Sequence, residues 1–133
     1  MKNNTVYQQR LFQIAAFFNI SVGMVILFAH QWLFNLINIE ITNNHAYLAM
    51  TQVVGVAIAT FGIGYYLVSQ SVHDNKGVIL LGIVSKLAVL IIFTIAYFKN
   101  PTMLPFFIAG LGEFGFIALF IKELKTMSLQ TIN

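Results

Sequence analysis

Two charged residues stand inside long apolar stretches of this sequence, Lys86 in the third and Glu113 in the fourth. A charge deep in such a run is costly, so it turns toward the protein interior and takes a partner. A lysine and a glutamate can do two kinds of chemistry there. As a closed ion pair they fix register and orientation between helices that lipid does little to drive together. As titrating groups they form a proton, ion or substrate site. Residue type and spacing leave both readings open.

Counting places the two at one height. Lys86 lies eight residues past Val78, and Glu113 lies eight before Ile121. At ~1.5 Å per helical residue, both sit about 12 Å in from the same boundary. A lysine stem reaches only about 6 Å, so snorkelling to the interface does not rescue Lys86. Asn19, eight residues past Leu11, and Thr60, eight before Val68, reach the same level. The expectation is an intramembrane polar layer of Asn19, Thr60, Lys86 and Glu113, with Ser21 and Ser85 close by.

Small residues mark where helices can approach. Thr51, Gly55 and Ala59 recur every fourth residue, and Gly82 lies one turn before Lys86. Gly110, with Ala109, lies on the Glu113 side of its helix, and Gly112 and Gly115 are nearby. Gly55, Ala59, Gly82 and Gly110 are read as helix-packing positions.

Other chemistries find little support. His30 and His45 flank Glu40, but their spacing matches no zinc pattern, so no metal is expected. His73, Asp74 and Lys76 read as a solvated turn. Gly62-Ile63-Gly64 ends an apolar helix and lacks the strand-to-helix context of a phosphate loop, so no cofactor is expected. The absence of cysteine removes disulfides, thiolate metal sites and cysteine nucleophiles. No nucleophile, base and acid can be assembled from spacing. The thirteen phenylalanines read as lipid-facing and space-filling side chains, not as a nucleic-acid platform.

The elements that position these residues follow from composition. Only 8% of the 133 residues are charged and 59% are apolar. So few charges cannot cover a water-exposed surface, whereas hydrocarbon tolerates such a chain. Four apolar runs, residues 11–37, 47–68, 78–98 and 104–121, are each long enough to span a bilayer as a helix. The first is strongest over 11–29. Polar breaks at 38–44, 69–77 and 99–102 separate them, and such short loops force antiparallel neighbours. The sequence therefore predicts an all-α fold, a four-transmembrane-helix antiparallel bundle forming one membrane domain over 1–133. Residues 122–133 are read as a short cytoplasmic tail.

Lys2, Arg10, Lys76, Lys122 and Lys125 fall on one side of that topology and Lys99 alone on the other. Five against one predicts that both termini are cytoplasmic. Trp32, Tyr47 and Tyr97 then mark the outer interface, and Tyr7, Tyr65 and Tyr66 the inner one. The first run contains Asn19 and no convincing cleavage site follows Ala29, so it reads as a retained span rather than a signal peptide.

Several features together resemble a family of small uncharacterised four-helix bacterial integral membrane proteins. They are Asn19 with Gly23, Trp32-Leu33-Phe34, and Phe61-Gly62-Ile63-Gly64-Tyr65. A His/Asp-containing loop, Val78-Ile79-Leu80-Leu81-Gly82 with Lys86, and Gly112-Glu113 complete the set. The middle loop here lacks the Asp-Pro-like turn often found in such proteins, and Ser85 rather than glycine precedes Lys86. The resemblance implies a four-helix membrane bundle in the bacterial inner (plasma) membrane and carries no activity with it.

Three functions compete. The first is a non-enzymatic bundle that binds lipid or a protein partner, including a second copy of itself. The second is proton- or ion-coupled transport of a small solute through Lys86 and Glu113. An intramembrane enzyme acting on lipid or quinone ranks last, because no signature of one is present.

Overall fold

The computed structural model describes residues 2–40 and 44–130. Part of the polar break after the first helix, and the last three residues of the tail, lie outside the described residues. Four α-helices follow in order: α1 (Lys2–Leu36), α2 (His45–Gln70), α3 (Lys76–Lys99) and α4 (Leu104–Gln130). No strand occurs among the described residues. All four helices are long and apolar enough to cross a membrane. Their outward side chains agree: Phe17, Phe28, Met50, Leu81, Ile92, Phe98 and Phe114 are all well exposed. This is the architecture of a multi-pass membrane protein, with the all-α class expected from composition.

Contacts divide the chain into two compact units, Met1–Gln70 and Ser71–Asn133. Each is an antiparallel helical hairpin.

The α1–α2 hairpin is held by backbones in close approach. A Cβ added at Gly23 would fall 2.6 Å from the Ala59 amide nitrogen and 2.7 Å from the Gly55 carbonyl oxygen. One added at Gly55 would fall 2.9 Å from the Leu27 nitrogen, and one at Gly62 2.8 Å from the Ile20 nitrogen. Only glycine fits at these three points, so the helices meet through small residues. Farther along the same seam Phe34 meets Tyr47, with ring centroids 6.5 Å apart. Helix α1 is broken at Ala29, whose φ of −130° and ψ of 23° are not helical. That is the end of the strongest part of the first apolar run.

Caps account for the helix ends. Asn38 has φ 55°, and the amides of Ile39 and Asn38 donate to the carbonyls of Phe34 and Asn35. This is a Schellman termination with asparagine in the left-handed position. The Asn44 side chain accepts from the Ala46 amide at 2.8 Å, which starts α2.

The α3–α4 hairpin turns on Asn100-Pro101-Thr102. The Asn100 Oδ1 accepts from both the amide and the hydroxyl of Thr102, and Pro101 opens a short 3₁₀ turn. Proline there loses no helical hydrogen bond, because the first-turn amides have no partner in any case. Above the turn the seam is aromatic. Tyr97 stacks on Phe107 with centroids 4.8 Å apart, and Phe93 meets Phe106 at 5.2 Å.

The helix ends differ from the sequence expectation at two places. Helix α1 begins well before residue 11, and α4 runs on to Gln130 instead of ending at 121. Residues 122–130 are therefore helix rather than an irregular tail. The reason is periodicity. Ile117, Phe120, Glu123 and Met127 follow one another at helical spacing and all four are buried.

Candidate functional site

Lys86 sits in the middle of α3 and Glu113 in α4, on facing sides of one hairpin. The Lys86 Nζ donates to Glu113 Oε2 in a direct salt bridge. The lysine side chain is 5% exposed and the glutamate 20%. The pair is therefore lopsided: the cation is enclosed, and the anion keeps some access to its surroundings.

A second contact explains why the lysine tolerates burial. Its ammonium lies 5.0 Å from the centroid of the Phe116 ring, one helical turn beyond Glu113 on α4. The ring face is electron-rich and attracts a desolvated cation. Residues three apart on a helix share a face, so Glu113 and Phe116 approach Lys86 together. One turn earlier on α3, Gly82 is buried, and its carbonyl accepts the Ser85 hydroxyl at 3.0 Å.

The turn sets this register. Lys86 and Glu113 lie 27 residues apart, as measured by their hydrogen bond. Phe93 and Phe106 add to the same sum of residue numbers, as two antiparallel strips pinned at Asn100 require. Gly110 lies between these contacts. A Cβ there would meet Phe93 and Leu90 at 3.4–3.5 Å, which is ordinary packing distance.

The other two residues of the expected layer lie in the α1–α2 hairpin. Asn19 is buried, and its Nδ2 donates to the Ala15 carbonyl at 2.9 Å. Thr60 is exposed, and its hydroxyl donates to the Val56 carbonyl at 2.8 Å. Each side chain thus satisfies itself one turn back along its own helix, as Ser, Thr and Asn do when the backbone is the nearest acceptor.

Among the buried polar residues, Gln8 and Glu123 escape the sequence reading. Ser69 is helical and buried although the sequence reading puts it in a polar break, and His30, weighed there only as a metal ligand, is buried as well. Gln8 and Glu123 are 4% and 3% exposed. Both lie beyond the apolar runs, and the signal for them was the helical spacing that continues past those runs. His30 is 8% exposed, and its Nδ1 has no hydrogen-bond partner. It follows the break at Ala29 and meets the Phe34 ring edge-on, with centroids 6.4 Å apart. Among the described residues no group of three or more His, Asp or Glu side chains gathers in a metal-binding arrangement.

Comparison with protein-family profiles, curated proteins and solved structures finds no match.

Proposed function

We propose that this chain is a non-enzymatic protein of the bacterial inner membrane that binds a membrane partner, lipid or protein, through its outward apolar faces. Both termini face the cytoplasm in this reading. The resemblance to small four-helix bacterial membrane proteins points the same way. One observation carries it: Lys86 is closed onto Glu113 and covered by Phe116 within a single hairpin. A buried cation held by a carboxylate and an aromatic face is a clamp between two helices. Transport chemistry needs a group that exchanges protons or ions with two sides in turn, and a clamp of this kind resists that exchange.

The alternative is proton- or ion-coupled transport, and the exposure of Glu113 favours it. The purified full chain in proteoliposomes separates the two. With a pH gradient imposed, the clamp reading expects wild-type and Glu113→Gln vesicles to leak protons no faster than empty ones. A wild-type flux that vanishes in Glu113→Gln would install the transporter in its place.

A further inference from the structure

We propose that the outward face of α1 near Arg10 is a binding site for an anionic phospholipid. Arg10, Gln13, Ile14 and Phe17 line an open surface groove of about 400 Å³. All four come from one helix at the spacing i, i+3, i+4, i+7, which is a single continuous stripe. All four are exposed, Phe17 and Ile14 strongly so.

The order of chemistry along that stripe is that of a lipid. Arg10 and Gln13 supply a cation and an amide at one end, and Ile14 and Phe17 supply apolar walls at the other. A guanidinium grips a phosphate through paired N–H donors and stays charged at any physiological pH. The amide of Gln13 adds a donor for ester or glycerol oxygens. One turn deeper, an acyl chain lies against Ile14 and Phe17. A groove with a single helix for a wall cannot enclose a compact solute. It suits an elongated molecule held alongside the helix within the bilayer.

Charge complementarity singles out the anionic class. Among the described residues no carboxylate pairs with Arg10, so the guanidinium is available to a phosphate. The opposite, inward stripe of the same segment holds Leu11, Phe12, Ala15 and Ala16, all buried. The stripe bearing Arg10 lies exposed beside that buried one. A basic residue at the end of an apolar span is also where the headgroup layer lies.

This inference rests on the reading of the chain as a lipid-binding membrane protein, but it does not involve the Lys86–Glu113 pair. Native mass spectrometry of the full chain tests it. The protein is held in mixed micelles containing equal amounts of phosphatidylglycerol and phosphatidylcholine with the same acyl chains. The expected result is preferential retention of phosphatidylglycerol. Arg10→Gln should lower that preference roughly fivefold, the equivalent of one basic side chain at an anionic surface. Arg10→Lys should keep most of it. Lys125→Gln, a change at an exposed lysine on α4, should leave it intact. No preference in the wild type overturns the proposal, whatever the variants do. So does an equal loss in Lys125→Gln, which would mean that overall charge and not this groove attracts the lipid. The proton-flux outcome for Glu113→Gln is independent of both, so failure here and failure of the functional reading are told apart.

Discussion

The Lys86 ammonium is held between the Glu113 carboxylate and the face of the Phe116 ring, both presented by the facing helix of its hairpin. The energetics of such a pair are asymmetric. Forming it gains little over an apolar contact, because both ions must be desolvated. Breaking it by removing one partner leaves the other charge buried and uncompensated. Glu113→Ala should therefore destabilise the protein by about 3 kcal/mol. The double change Lys86→Met with Glu113→Leu should recover most of that loss. Unfolding of the detergent-solubilised chain by titrated denaturing detergent measures both. A double variant as damaged as the single one would mean that the two residues are not coupled.

The second prediction concerns glycines that look alike in the sequence and differ in space. At Gly23 a Cβ would press on the backbone of α2, whereas at Gly115 it would meet nothing within 4 Å. Gly23→Ala should cost about 1–3 kcal/mol, because rigid backbones must separate. Gly115→Ala should be neutral, or stabilise by up to about 1 kcal/mol through helix propensity. Thermal midpoints in one detergent compare them directly. Equal effects would contradict the close α1–α2 approach.

These cases show what the sequence could carry. Four helices were legible because hydropathy needs no partner to be read. Lys86 and Glu113 stood out because they are the two charges inside apolar runs, and a tight turn makes their heights countable. Phe116 did not stand out, since one phenylalanine among thirteen becomes a cation partner only through its orientation. Thr60 reached the right height by count, but height says nothing of azimuth, and its side chain is exposed. Gln8 and Glu123 were missed because an apolar threshold ends a span before the helix itself ends. Gly23 and Gly55 are both visible as small residues, but only the fold shows their backbones in contact.

The third prediction tests the buried histidine. His30 Nδ1 has no hydrogen-bond partner, and an orphaned buried polar atom normally costs about 1–3 kcal/mol. Leucine fills a similar space without that cost. His30→Leu should therefore leave stability within about 0.5 kcal/mol of wild type or raise it by about 1 kcal/mol. The edge contact with Phe34 is a minor loss. Thermal unfolding in detergent reads the change. A drop larger than about 2 kcal/mol would show that the imidazole makes an essential bond in the folded protein.

The last prediction separates a packed helix end from a loose tail. The sequence places Met127 six residues past the fourth apolar run, in a stretch with Lys122, Glu123 and Lys125. The structure places it on α4 with no exposed surface, in one buried stripe with Phe120 and Glu123. Removing most of a fully buried methionine side chain costs about 2 kcal/mol or more, and in a loose tail it costs nothing. Met127→Ala should therefore lower the unfolding midpoint clearly, while Lys125→Ala, two residues away and exposed, should not. The contrast between the two variants in one detergent is the measurement. If both leave the midpoint unchanged, the last two turns of α4 contribute nothing to stability, and the fourth helix effectively ends where its apolar run does.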